Sequence, residues 1–266
     1  MSDLPQPVHV RAFGKGARDV LAIHCTIAHS GAWKRLASLL SDEATFHAFD
    51  MLSHGQSADW DGQGDFQDRN VEAALTLLDR PMDVVGHSFG ATIALRVAIE
   101  RPELVRSLTL IKPVFFAVAL ADAPDAVAEH DRMAAPYLEA MHAGDWPLAA
   151  RLFNRMWSTE DSPRWPQLPE ATRAAMIRGI PVVPACDAAL FKDRAGVLTP
   201  GVLEGLVVPV LLLRGGQTQP VIASINAGLE RRLPNASRGV VGEAGHMLPI
   251  SHPQETADQL RAFWPS

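Results

Sequence analysis

Three features of the sequence predict an α/β fold with a doubly wound, mostly parallel sheet. Short apolar runs that suit buried strands alternate with amphipathic stretches of helical period along most of the chain. Gly86-His87-Ser88-Phe89-Gly90 sets a serine between such a strand (residues 82–85) and an Ala-rich helix pattern from Ala91. Residues 114–203 carry Pro and Ala-rich helical stretches without a strand pattern, so they read as an insertion between two strands. The predicted organisation is a core of residues 1–113 and 204–266 with a helical cap at 114–203.

Val8, Val10 and Ala12 alternate with polar residues and predict a first strand that ends at Gly14-Lys15-Gly16. That turn lacks the remaining residues of a phosphate-binding loop and is read as a hairpin. Residues 20–23 form a short buried strand, closed by the loop 24–31. Trp33, Leu36, Ala37 and Leu40 then repeat at helical spacing, and residues 45–52 predict another strand with the loop 53–57 behind it. Asp65 and Asp68 suit the start of a helix whose apolar stripe is Val71, Ala74, Leu75 and Leu78. After the serine turn, Arg101-Pro102 stops the helix, and residues 105–111 give a strand ending at Lys112-Pro113. Trp146, Trp157 and Trp165 fall in the insertion and are expected to be core residues. Residues 208–213 restore an apolar strand, and Ile222, Ile225, Leu229 and Leu233 form a helix face. The last strand pattern is 238–241, and Pro253 suits the first turn of a closing helix through Ala257, Leu260 and Trp264.

Composition removes several classes of function. Lys and Arg total 24 against 30 Asp and Glu, a net charge of −6, so no general nucleic-acid binder is expected. The first seven residues lack the basic and apolar regions of a secretory signal, and the longest apolar runs are strand-sized, so no membrane association is expected. The two cysteines, Cys25 and Cys186, make neither a disulfide framework nor a metal-binding spacing. They are expected to be reduced thiols in a cytoplasmic protein that needs no metal and no cofactor. A small-molecule substrate is the expected partner, and oligomeric state is open.

The Gly86–Gly90 turn has a chemical use. Gly86 and Gly90 leave room for a tight strand-to-helix turn, which projects the Ser88 hydroxyl from the end of the sheet. The amide N–H groups of the following helix face the site where negative charge develops during attack.

With His24-Cys25-Thr26 after an early strand, residues 50–57, residues 86–90 and Ala244-Gly245-His246-Met247, the chain resembles the α/β-hydrolase superfamily. Within it the likeness is to small bacterial esterases and C–C bond hydrolases with a helical cap. The resemblance implies Ser88 as nucleophile and His246 as the base that takes and later returns its proton. It implies backbone N–H groups of Phe89 and Thr26 as oxyanion donors. His24 is expected to orient its loop, and His54 and Ser57 to pack beside the serine turn. Cys25 stands where the family usually has glycine, which brings a thiol into the oxyanion loop.

One member of the implied triad is missing. The family places an Asp or Glu after the strand at 208–213, where this chain has Thr218, or after the strand that follows the serine helix, where it has Lys112. Loss of that acid alone costs roughly four powers of ten in turnover. A lysine near the imidazole also opposes the imidazolium that forms during reaction. Three readings stay open: an acid from elsewhere, with Glu243 and Asp122 as candidates; a Ser88–His246 dyad oriented by Gln217 or Gln219; or a site that binds without turnover. Lys112 itself either occupies the place of the acid or extends past Pro113 to solvent. The reaction expected from the resemblance is hydrolysis of a small ester or similar acyl substrate through an acyl-serine intermediate. C–C bond cleavage with the same groups is the alternative, and a small-molecule binder of low activity is the alternative from another class.

Overall fold

Six parallel strands lie side by side in a central sheet, and Ser88 and His246 follow two of them at the same edge. The structure, a computed structural model, describes residues 6–264, so most of the N-terminal stretch read for a leader lies outside the described residues. The strands are β1 (Val10–Gly14), β2 (Arg18–Ile23), β3 (Ala44–Phe49), β4 (Met82–His87), β5 (Val105–Ile111), β6 (Val210–Gly215) and β7 (Ala236–Val241), in the order β1-β3-β2-β4-β5-β6-β7. β1 runs antiparallel to β3, and every other pairing is parallel.

The glycine-rich turn after β1 is not a hairpin. β3 lies between β1 and β2, with Val10 opposite Phe49 and Arg18 opposite Ala44. The chain at Lys15 and Arg18 is tied to the segment ahead of β3, through Lys15 N–H to the Ser41 carbonyl and Arg18 N–H to the Glu43 carbonyl. A Cβ on Gly16 would lie 2.0 Å from the Glu43 carbonyl carbon, so the turn packs directly on that segment.

Helices cover both faces. α1 (Lys34–Leu39), α2 (Phe66–Thr76) and α3 (Phe89–Glu100) alternate with the first strands. Between β5 and β6 come α4 (Phe116–Asp122), α5 (Pro124–His142), α6 (Trp146–Met156), α7 (Glu170–Gly179) and the short α8 (Asp187–Leu190), with no strand among them. α9 (Pro220–Glu230), α10 (Leu248–Ser251) and α11 (Pro253–Phe263) complete the core.

Alternation along the strands sorts side chains to the two faces. Leu21, Val84, Leu108 and Leu212 join one apolar layer, while Val20, Val85, Ile111 and Leu213 join the other with Trp33, Leu36 and Leu260. A third, smaller cluster forms within the inserted helices from Ala134, Tyr137, Ala140, Ala149, Ala150 and Ile180, and Ile27 of the loop after β2 packs into it. Among the described residues, no helix is long and apolar enough to cross a membrane.

Candidate active site

Ser88 follows β4, the middle strand of the sheet, and precedes the first turn of α3. Its backbone is left-handed, with φ 57° and ψ −118°, a strained conformation for a residue with a side chain. The turn closes this tightly only because of its glycines. A Cβ on Gly86 would lie 2.3 Å from the Gly90 carbonyl oxygen, and one on Gly90 would lie 2.3 Å from that of His24. Ser88 N–H donates to the Ile111 carbonyl at 2.9 Å, which fixes the turn against β5.

The loop after β2 is held by two histidines. His24 Nδ1 donates to the Cys25 carbonyl, and its Nε2 accepts from Met51 N–H. His54 does the same for the neighbouring turn, donating from Nδ1 to the Leu52 carbonyl and accepting at Nε2 from Ile27 N–H. Burial lowers His24 to about 3 and His54 to about 4, so both are neutral and suited to one donated and one accepted bond. Asp50 fastens the next loop, accepting from Ser30 N–H and Gln56 N–H. Ile27 is thereby kept at φ 54°, and Thr26 just before it is buried. The N–H groups of Thr26 and Phe89 enter none of the loop and cap hydrogen bonds among the described residues.

His246 lies in the loop between β7 and α10 and is 7% exposed. Its carbonyl accepts from His87 Nε2 at 2.8 Å, and the two rings are 5.1 Å apart. The centre of the Trp157 ring lies 4.9 Å from that of the His246 ring. His246 Nδ1, the nitrogen that an acid would hold, is buried without a hydrogen-bond partner. Burial, then the charge of Lys112 and then that of His87, hold His246 well below its ordinary value.

Lys112 is fully buried and does not extend to solvent past Pro113. Its φ of 48° turns the chain at the end of β5, and its Nζ stops 3.1 Å from the centre of the Trp157 ring. Nζ has no hydrogen-bond partner among the described residues, and burial lowers the ammonium well below its usual value. Thr218 Oγ1 donates to the Gly215 carbonyl in the turn after β6. Neither position supplies a carboxylate, and the proposed substitutes do not reach His246. Glu243 is exposed and accepts from Gln217, while Asp122 pairs with Arg231 and Arg232. Gln219 is occupied by His130 and the Met156 carbonyl.

Sequence reasoning missed His87 and His130 and took Trp157 for an ordinary core residue. His87 adjoins Ser88, a position that alone offers a signal. His130 and Trp157 come from the inserted helices, and nothing in their local sequence marks them. Cys25 is buried with its thiol pushed up to about 12, which argues against a reactive nucleophile. Its Sγ and one ring nitrogen each of His87 and His246 lie within 4.8 Å of one another, so these three are the group here that could hold a metal ion. Metal binding there would have to remove the Cys25 proton, which burial holds in place.

The model of the Alpha/beta hydrolase family matches residues 20–259. Lipase LipV of Mycobacterium tuberculosis is 30% identical over 270 residues, covering 96% of this chain and 97% of the lipase. A pimeloyl-(acyl-carrier protein) methyl ester esterase of Nitrosomonas europaea is 27% identical, covering 93% of this chain and 96% of the esterase. Among solved structures, the enol-lactonase from Burkholderia xenovorans LB400 superposes with a TM-score of 0.73 at 19% identity, covering 96% of this chain and 95% of that one. With its seven-stranded, mostly parallel sheet and its serine turn after the middle strand, the chain belongs to the alpha/beta hydrolase family.

Proposed function

We propose that the protein is a serine hydrolase that cleaves a small ester or similar acyl substrate through an acyl-serine intermediate. The observation that carries this reading is the strained backbone of Ser88, held between two glycines that admit no Cβ, at the end of the sheet that His246 also reaches. Ser88 Oγ attacks the substrate carbonyl carbon as His246 takes its proton. The oxyanion that forms accepts from the N–H groups of Thr26 and Phe89. The tetrahedral intermediate collapses, the alcohol leaves with the proton from His246, and the acyl group stays on Ser88. Water then gives a proton to His246 and attacks the acyl-serine, and the returning proton frees Ser88 and a carboxylic acid.

Residues 114–203 act as the cap in this reading, because Met156, Trp157 and Ser158 share a cavity with His246 and Thr159 packs on Gly245. The free cysteines Cys25 and Cys186 go with a cytoplasmic location. The unpartnered His246 Nδ1 favours slow turnover, since no group among the described residues fixes its tautomer. Labelling with a small phosphonate ester tests the reading: modification at Ser88 that is lost in His246→Ala supports it, and a folded protein left unlabelled contradicts it.

A further inference from the structure

A cavity of about 40 Å³ lies on the acid side of the site, lined by Lys112, Met156, Trp157, Ser158, Gln217, Thr218, Gln219 and His246. Its polar side chains divide sharply. Ser158 donates to the Asn154 carbonyl, Thr218 to the Gly215 carbonyl and Gln217 to Glu243, while Gln219 is used at both ends. Only Lys112 Nζ and His246 Nδ1 are buried there without a partner. Lys112 is wholly buried and His246 is 7% exposed, so neither obtains a partner by swinging outward. Leaving such groups unpaired is costly, and each calls for an explanation.

We propose that this cavity binds a small carboxylate anion of the size of formate, which bridges Lys112 Nζ and His246 Nδ1 and takes the place of the absent triad acid. The inference rests on the hydrolase reading for its consequence but not for the binding itself. Two groups that donate protons call for two acceptor oxygens a short distance apart, which a carboxylate has and a single halide lacks. The volume fits: one water needs about 10–15 Å³ on this scale, so the cavity admits roughly three heavy atoms. Among the described residues no carboxylate lines it, and Glu243 is outside and tied to Gln217. The bound anion balances the charge on Lys112, holds the proton on His246 Nδ1 and leaves the other ring nitrogen free to act as base. Lys112 is then a positioning residue that acts through the anion. The same lysine that opposes the imidazolium when alone supports it when the anion is bound.

The test follows the ring nitrogens of His246 by NMR in protein carrying 15N-histidine, with the resonance assigned by its loss in His246→Asn. Sodium formate is titrated against sodium chloride of equal ionic strength. The expected result is a saturable, formate-specific shift of His246 Nδ1 toward a hydrogen-bonded N–H, absent in Lys112→Met and absent with benzoate, which is too large for the cavity. In parallel, formate raises the rate of Ser88 phosphonylation by about tenfold or more at the same half-saturation. Equal effects of formate and chloride, a shift that persists in Lys112→Met, or an equal shift with benzoate overturns the site. A shift without acceleration, in protein whose Ser88 still labels, overturns the role as acid. The NMR signal needs no turnover, so failure to label Ser88 under any condition would strike the hydrolase reading and leave the binding result standing.

Discussion

Lys112 Nζ sits 3.1 Å from the centre of the Trp157 ring, inside the protein and close to a histidine that a serine nucleophile would need. Two effects compete at this position. The face of an indole attracts a cation by about 2 kcal/mol when the pair is desolvated. Removing an ammonium from water costs several kcal/mol, and no carboxylate among the described residues pairs with Lys112 to offset that. Burial wins, which is why Lys112 titrates well below an ordinary lysine.

That imbalance has a consequence for stability. Lys112→Met keeps the stem and removes the unpartnered amine, so the variant should be more stable than the parent, by about 1–3 kcal/mol for burial of the neutral amine alone and by more at neutral pH, where the folded parent must also give up its proton. The gap should also depend on pH. Unfolded, the lysine titrates near 10.4, whereas the folded group titrates well below it, so between those values the unfolded parent binds the extra proton. Parent stability therefore rises with pH relative to the variant, by up to about 1.4 kcal/mol per pH unit. Between pH 7 and about 8.5 the buried histidines are neutral in both states, and the Cys25 contribution is common to both proteins. Urea unfolding at several pH values checks this. A constant gap, or a less stable variant, would show that Lys112 is charged and well accommodated.

The rate should keep its basic form to unusually low pH. Burial holds His246 well below its ordinary value, so the imidazole stays deprotonated and able to accept the serine proton as pH falls through 6.5. The acid limb of kcat/KM for a neutral ester should lie below pH 6.5. A limb at or above that value would mean that the ring is solvated or paired with an anion of the chain.

Supplying the carboxylate covalently should raise activity. Lys112→Glu removes the opposing charge and adds an acid at one of the two positions where the family carries it. Because loss of the acid costs about four powers of ten, the gain in ester hydrolysis should be about 10²–10⁴-fold. Comparison of kcat/KM in folded parent and variant measures it. An unchanged or lower rate would mean that residue 112 does not face His246 in the working enzyme.

Much of this was legible in the sequence, and the exceptions have physical causes. Strands such as Val84-Val85 and Leu211-Leu212 announce themselves because a buried parallel sheet needs apolar side chains on both faces. The serine turn is legible because Gly86 and Gly90 are forced by backbone contacts. Apolar periodicity does not say which strands pair, so the placement of β3 between β1 and β2 could not be read from Gly14-Lys15-Gly16. The setting of Lys112 was hidden for a different reason. Its neighbours Trp157 and His246 lie 45 and 134 positions further along the chain, one in the insertion and one in the loop after β7, and only folding brings them to the end of β5.

The most direct measurement is intact-mass labelling with a small phosphonate ester, followed by mapping of the modified residue. Stoichiometric modification at Ser88, absent in Ser88→Ala and in His246→Ala, is the predicted result and would show a nucleophile activated by His246 without a carboxylate from the chain. Folded protein that remains unmodified, with entry of a small molecule to the site confirmed by its binding, would contradict the proposed hydrolase.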